Sequence, residues 1–142
     1  MTTPRGEFGD TTSVHIYRPI GHVVNDFVES VGPDAMRESE SQIVLDSSLA
    51  GGLTGLVSGQ RLLIVFHFHR AEGFDLLQHP RGDCSRPRRG VFALRSPRRP
   101  NPIGVSVVEL VAVEGSVLRV RGLDAIDGTP VLDIKPAEAE AV

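Results

Sequence analysis

The run Arg61–Arg70, reading RLLIVFHFHR, is the strongest strand signal in the chain and constrains the fold most. Leu62, Ile64, Phe66 and Phe68 alternate with Leu63, Val65, His67 and His69, so both faces begin apolar and one turns polar at its end. A strand of that kind must be covered on both sides at its start. Further β signals lie at Tyr17–Val24, Gln42–Leu45, Gly90–Leu94, Val105–Ala112, Val117–Arg121 and Val131–Ile134. Gly104, Gly115, Gly122 and the pair Asp127-Gly128 punctuate the later ones. Short β runs at a spacing of about ten residues predict a mainly β protein, a small barrel or sandwich, instead of a layered α/β fold.

The remaining segments read as connections. Pro33–Ser41 is polar and breaks the pattern, and Gly51–Gly59, with four glycines, reads as a loop with one helical turn. Residues 71–90 read as a long connection, of a length that is usually functional or disordered. Residues 1–13 are expected to be a flexible arm and residues 14–142 the single barrel domain.

No apolar run approaches the roughly 20 residues that span a bilayer, and MTTPRGEFGDTTS lacks the apolar core of a secretory signal. One cysteine, Cys84, excludes an internal disulfide framework and a four-cysteine zinc module. A cytoplasmic enzyme or binding domain, with no membrane association, is expected.

The net charge of −3 hides an asymmetry. Seven arginines between Arg81 and Arg99 are opposed there only by Asp83, so this segment carries +6 and the remainder −9. Within it, Pro97, Pro100 and Pro102 stiffen the stretch Arg95–Gly104 and remove backbone donors. Such a rod suits recognition of carboxylates or phosphates by arginine. A solvated, proline-rich edge is the bland reading, against which the rigidity argues.

Three other features bear on chemistry. His67 and His69 alternate onto one strand face, a geometry that can bind a divalent metal, although a strand-end histidine is more often structural. Asp124-Ala125-Ile126-Asp127-Gly128 contains a tight-turn signal. Its bland reading is a hairpin turn in which Asp127 bonds its own backbone; its functional reading presents a carboxylate to an ammonium or a ribose hydroxyl. Cys84 lies in an electropositive loop, though a lone cysteine is usually incidental. The G-x-G-x-x-G fingerprint, the Walker A sequence and the serine-nucleophile motifs are all missing from the sequence.

Taken together, FHFHR, GVFALRSPRRPNPIGVSVVEL and LDAIDGTPVLDIKP resemble the signature segments of the TsaA-like, or TrmO, family, over about residues 15 to 136. The resemblance implies an S-adenosylmethionine-dependent methyltransferase built on a small β-barrel in place of the Rossmann-type sheet. It implies action on N6 of threonylcarbamoyladenosine beside the tRNA anticodon, by a homodimer. Cofactor contacts would map onto His69, Arg70, Arg95, Val105 and the turn Asp124, Ala125, Ile126 and Asp127. Arg37 would stand in for an early proline-arginine-glutamine segment. The arginine loop, through Arg88, Arg89, Arg98, Arg99 and Asn101, would face the tRNA, and His69 or Asp127 would accept the N6 proton. Three alternatives stay open. They are a different RNA or small-molecule acceptor, a non-catalytic module that binds the cofactor or RNA, and a metal-dependent cupin-like barrel on His67 and His69.

Overall fold

Alternate burial along the strands decides the architecture. In the computed structural model, which describes residues 8–10, 12–29 and 33–138, Leu62, Ile64 and Phe66 of one strand point into a core. Ser41, Ile43 and Leu45 of another do the same, as do Gly104, Ser106, Val108 and Leu110 of a third. Eight strands are present among the described residues: β1 Gly21–Val24, β2 Glu40–Leu45, β3 Arg61–His67, β4 Leu77–Gln78, β5 Arg89–Gly90, β6 Ile103–Glu114, β7 Val117–Arg121 and β8 Pro130–Pro136. Six close into an antiparallel barrel in the order β1-β2-β7-β6-β3-β8, while β4 and β5 pair separately. This is the mainly β barrel that the strand spacing and the family resemblance predicted.

Closure depends on the shortest barrel strand. Gly21 of β1 lies opposite Leu45 of β2 on one side and Val131 of β8 on the other. A Cβ built on Gly21 would collide with the Val44 carbonyl oxygen and lie 2.9 Å from the Leu45 Cα, so the backbones meet there only because no side chain intervenes. Pro130 opens β8, the place where a strand tolerates a missing N–H. Register shifts at Val65/Phe66 and at Leu110/Ala112 mark bulges that help the sheet curl.

The chain divides into two compact units. One, Tyr17–His67 with Val105–Val142, contains the barrel core of Phe66, Ile43, Leu62, Ile64, Leu110 and Leu118 with their neighbours. The other joins Met1–Ile16 to the insert Phe68–Gly104. In it, Phe74 is buried and meets Phe8 edge-on, with ring centroids 5.9 Å apart. Phe8 lies in the stretch expected to be a flexible arm; residues 1–7 and 11 fall outside the described residues.

Several elements differ from the sequence expectation, each for a local reason. The polar stretch after residue 32 contains a short helix, α1 Pro33–Met36, which buries Met36 completely. The glycine-rich segment begins as a 3-10 helix, Ser47–Leu53, whose cap is Asp46. The signal at Gly90–Leu94 is not a strand: β5 ends at Gly90 and Val91–Ala93 is a 3-10 turn. The long connection 71–90 is structured by β4, by the turn Pro80–Gly82 and by β5. No helix among the described residues is long and apolar enough to cross a membrane.

Candidate functional site

On the barrel unit, the loop between β7 and β8 is held by hydroxyl and amide side chains rooted in the strands. Ser106 is buried on the inner face of β6, where an unpaired hydroxyl would be costly. Its Oγ accepts the Asp124 N–H at 3.1 Å and donates to the Gly122 carbonyl at 3.4 Å. Four residues after Asp124, Gly128 adopts a left-handed φ of 81° and closes the turn Ile126–Thr129. The Ile126 carbonyl accepts both the Thr129 N–H (3.2 Å) and the buried Thr129 hydroxyl (2.7 Å).

Asn25, directly after β1, fastens the same loop from the opposite direction. Its Nδ2 donates to the Ala125 carbonyl (2.8 Å) and to Ser41 Oγ (3.0 Å), and its Oδ1 accepts the Phe27 N–H (3.0 Å). The backbone N–H of Asn25 donates to Asp127 Oδ1 at 3.0 Å. The tight turn at Asp127-Gly128 is therefore present, but the Asp127 carboxylate caps a distant strand end instead of its own backbone. Asp124 and Asp127 are both exposed, with the buried Ala125 between them. The result is a rigid turn presenting two carboxylates three residues apart.

Arg37 belongs to the same unit. It follows α1, and its guanidinium meets Asp34 at 3.1 Å on the surface. Its carbonyl lies 3.2 Å from where a Cβ on Gly122 would sit, and the Gly122 N–H donates to the Ser39 carbonyl at 3.1 Å. The segment after α1 thus runs against the start of the Asp124 loop. Val105 sits on the outward face of β6, beside the inward Ser106. The barrel unit in this way brings Arg37 and Asp124–Asp127 into one neighbourhood.

His69, Arg70, Arg88, Arg89, Arg95, Arg98, Arg99 and Asn101 all belong to the other unit. β3 ends at His67, so His69 falls in the turn beyond the strand, and strand alternation no longer sets its direction relative to His67. Among the described residues no group of three His, Cys, Asp or Glu side chains is arranged to hold a metal ion. Arg70, Arg88, Arg89, Arg95 and Asn101 are exposed. Arg98 pairs with Asp75 at 2.8 Å, and its carbonyl accepts the Gln78 amide at 2.6 Å. Arg99 turns its Nη1 onto the carbonyls of Leu94 (2.9 Å), Ser96 (3.2 Å) and Val91 (3.5 Å). This guanidinium, expected to face RNA, clamps the turn from within. Cys84 is exposed, its Sγ lying 3.8 Å from the Gly82 carbonyl.

Sequence reasoning missed Asn25, Ser41, Ser106 and Thr129. Ser106 had a readable signal, since it is the one hydroxyl on a β6 face otherwise made of Gly104, Val108 and Leu110.

A closed antiparallel barrel with a pinned acidic turn between two of its strands, and an arginine-rich insert, sets this chain apart from the parallel-sheet nucleotide-binding proteins. Comparison with known proteins agrees. The chain belongs to the family described as tRNA-methyltransferase O N-terminal domain, which matches residues 30–141. It is 40% identical over 124 residues to a probable S-adenosyl-L-methionine-binding protein of Pyrococcus abyssi, covering 84% of this chain and 66% of that one. It is 35% identical over 133 residues to the mouse tRNA (adenine(37)-N6)-methyltransferase, covering 86% of this chain and 30% of that one. The crystal structure of TrmO from Pseudomonas aeruginosa superposes with a TM-score of 0.70 at 34% identity, covering 91% of this chain and 58% of that chain. The chain therefore spans less than two thirds of the length of these relatives.

Proposed function

We propose that the chain is an S-adenosyl-L-methionine-dependent tRNA methyltransferase acting on N6 of threonylcarbamoyladenosine beside the anticodon. The observation that carries this reading is the pinned turn Asp124–Asp127 in a chain of this family. Its chemistry fits the cofactor. Two exposed carboxylates on a fixed backbone suit a molecule that carries an ammonium, a sulfonium and ribose hydroxyls. When bound, S-adenosyl-L-methionine supplies a methyl group on an excellent leaving group, so alignment is the main demand on the protein.

Arg37, Val105 and Asp124–Asp127 are the barrel's contacts in this reading, and Asn25, Ser41 and Ser106 position them. His69, Arg70 and Arg95 keep the cofactor roles that the resemblance implies. For N6 to be methylated its proton must leave. His69 and Asp127, whose Oδ1 accepts the Asn25 N–H, are the two candidates to accept that proton. Arg88, Arg89, Arg98 and Asn101 are the residues assigned to the tRNA, while Arg99 shapes the loop that presents them. A cytoplasmic homodimer completes the reading.

Radiolabelled methyl transfer tests it. Purified chain, cofactor and tRNA carrying threonylcarbamoyladenosine should give a nucleoside one methyl heavier, and tRNA lacking the threonylcarbamoyl group should give none. Equal labelling of both tRNAs would overturn the assigned acceptor. Cofactor binding without transfer to either would make the chain a binding module.

A further inference from the structure

Phe92 is the most exposed aromatic ring among the described residues, at 78% relative exposure. Its neighbour Val91 is 1% exposed and anchors the 3-10 turn on which both sit. The Val91 N–H donates to the Leu76 carbonyl at 2.8 Å, and the Leu94 N–H donates back to the Val91 carbonyl at 3.1 Å. From within, Arg99 Nη1 holds the carbonyls of Leu94 and Ser96. The backbone beneath the ring is thus fixed by four hydrogen bonds while the ring itself faces water. Fixed backbone keeps low the ordering cost of anything that settles on the ring.

The chemistry around Phe92 selects the occupant. Arg88, Arg89 and Arg95 lie within four residues of it and are exposed. They belong to a segment that carries +6. An exposed apolar ring flanked in sequence by exposed arginines matches an unpaired nucleotide, which offers a flat base to stack and phosphates to pair. Duplex RNA does not fit, because its bases already stack on one another. The same segment of a second copy fits less well, since like charges would then meet across the contact.

We propose that Phe92 is the stacking platform for an unpaired RNA base, with Arg88 and Arg89 holding the flanking phosphates. The inference rests on the tRNA reading and adds which side chain an unpaired base meets.

The chain contains no tryptophan, so Phe92→Trp in the full chain creates a single reporter. Its fluorescence should be quenched by an unstructured ten-nucleotide RNA and left unchanged by the same RNA in a duplex. Phe92→Ala should weaken single-strand binding about tenfold, with an unchanged unfolding midpoint and unchanged cofactor binding. Equal affinity of Phe92→Ala and the parent chain for the single strand would overturn the platform while leaving the tRNA reading intact. A parent chain that binds neither RNA nor tRNA would overturn both. Conversion of a dimer to monomers by Phe92→Ala, with RNA affinity unchanged, would show the ring to be a contact between two copies and would also overturn the proposal.

Discussion

Asn25 and Asp127 lie 102 residues apart in the chain, yet the N–H of one donates to the Oδ1 of the other at 3.0 Å. The same asparagine reaches the Ala125 carbonyl with its side chain, so one residue at the end of β1 fixes both the backbone and the carboxylate of the β7–β8 loop. Asn25→Ala removes the donor to Ala125 and Ser41 and is expected to cost about 1–3 kcal/mol. It should also weaken cofactor binding by loosening the Asp124–Asp127 turn. Thermal unfolding and calorimetric titration read the two effects separately. Unchanged affinity in a destabilised variant would confine Asn25 to a structural role.

Gly21 tests the closure of the barrel. A methyl group there meets the Val44 carbonyl and the Leu45 Cα, both backbone atoms that have nowhere to go. Gly21→Ala should therefore destabilise by about 1–3 kcal/mol, as overpacking does. Urea unfolding measures it; wild-type stability would mean that β1 can move outward without opening the seam.

Asp46 provides a pH prediction. The Ser48 hydroxyl, at 2.6 Å, and then the Ser48 N–H, at 2.9 Å, hold its carboxyl below the ordinary carboxylate value. Its folded pKa lies below its unfolded one, so the stabilisation is complete above the unfolded value of about 3.9. It is lost as the pH falls through the lowered folded value. Carboxyl NMR titration of Asp46 should show the depressed midpoint, and Asp46→Asn should remove that part of the acid dependence. A titration at the ordinary carboxylate position would refute the cap.

Arg89 and Arg99 should separate cleanly. Arg89 is exposed, so Arg89→Ala should leave the unfolding midpoint alone. Its slope of log affinity for single-stranded RNA against log salt should become shallower by about 0.7. Arg99 clamps three carbonyls, so Arg99→Ala should lower stability by about 1–3 kcal/mol. Titrations at several salt concentrations, paired with thermal melts, distinguish them. A reversal of the two patterns would mean that the clamp is incidental.

The barrel strands were legible because burial on one face writes a period of two into the sequence, as in Leu62, Ile64 and Phe66. The insert was not, because two-residue strands such as Leu77–Gln78 and Arg89–Gly90 are too short to show any period. Met36 was hidden by its polar neighbours, although it is completely buried. For the candidate site, the Asp127-Gly128 turn was readable from local chemistry. Asn25 was not, since its partners Ala125 and Asp127 come from the other end of the chain. The arginine count was plain, but which guanidinium groups fold back onto carbonyls depends on the loop's path.

The hydrogen bond from the Phe68 N–H to the Pro102 carbonyl, at 2.7 Å, joins the two ends of the insert just where it leaves β3 and returns to β6. These two strands are neighbours in the barrel, so the insert departs and re-enters at nearly one point. Doubling the length of a flexible connection between two such ends costs only about 0.6 kcal/mol in closure entropy. The barrel is then nearly indifferent to what is spliced between Phe68 and Pro102. Selection could lengthen, shorten or exchange that stretch while the barrel strands stay as they are.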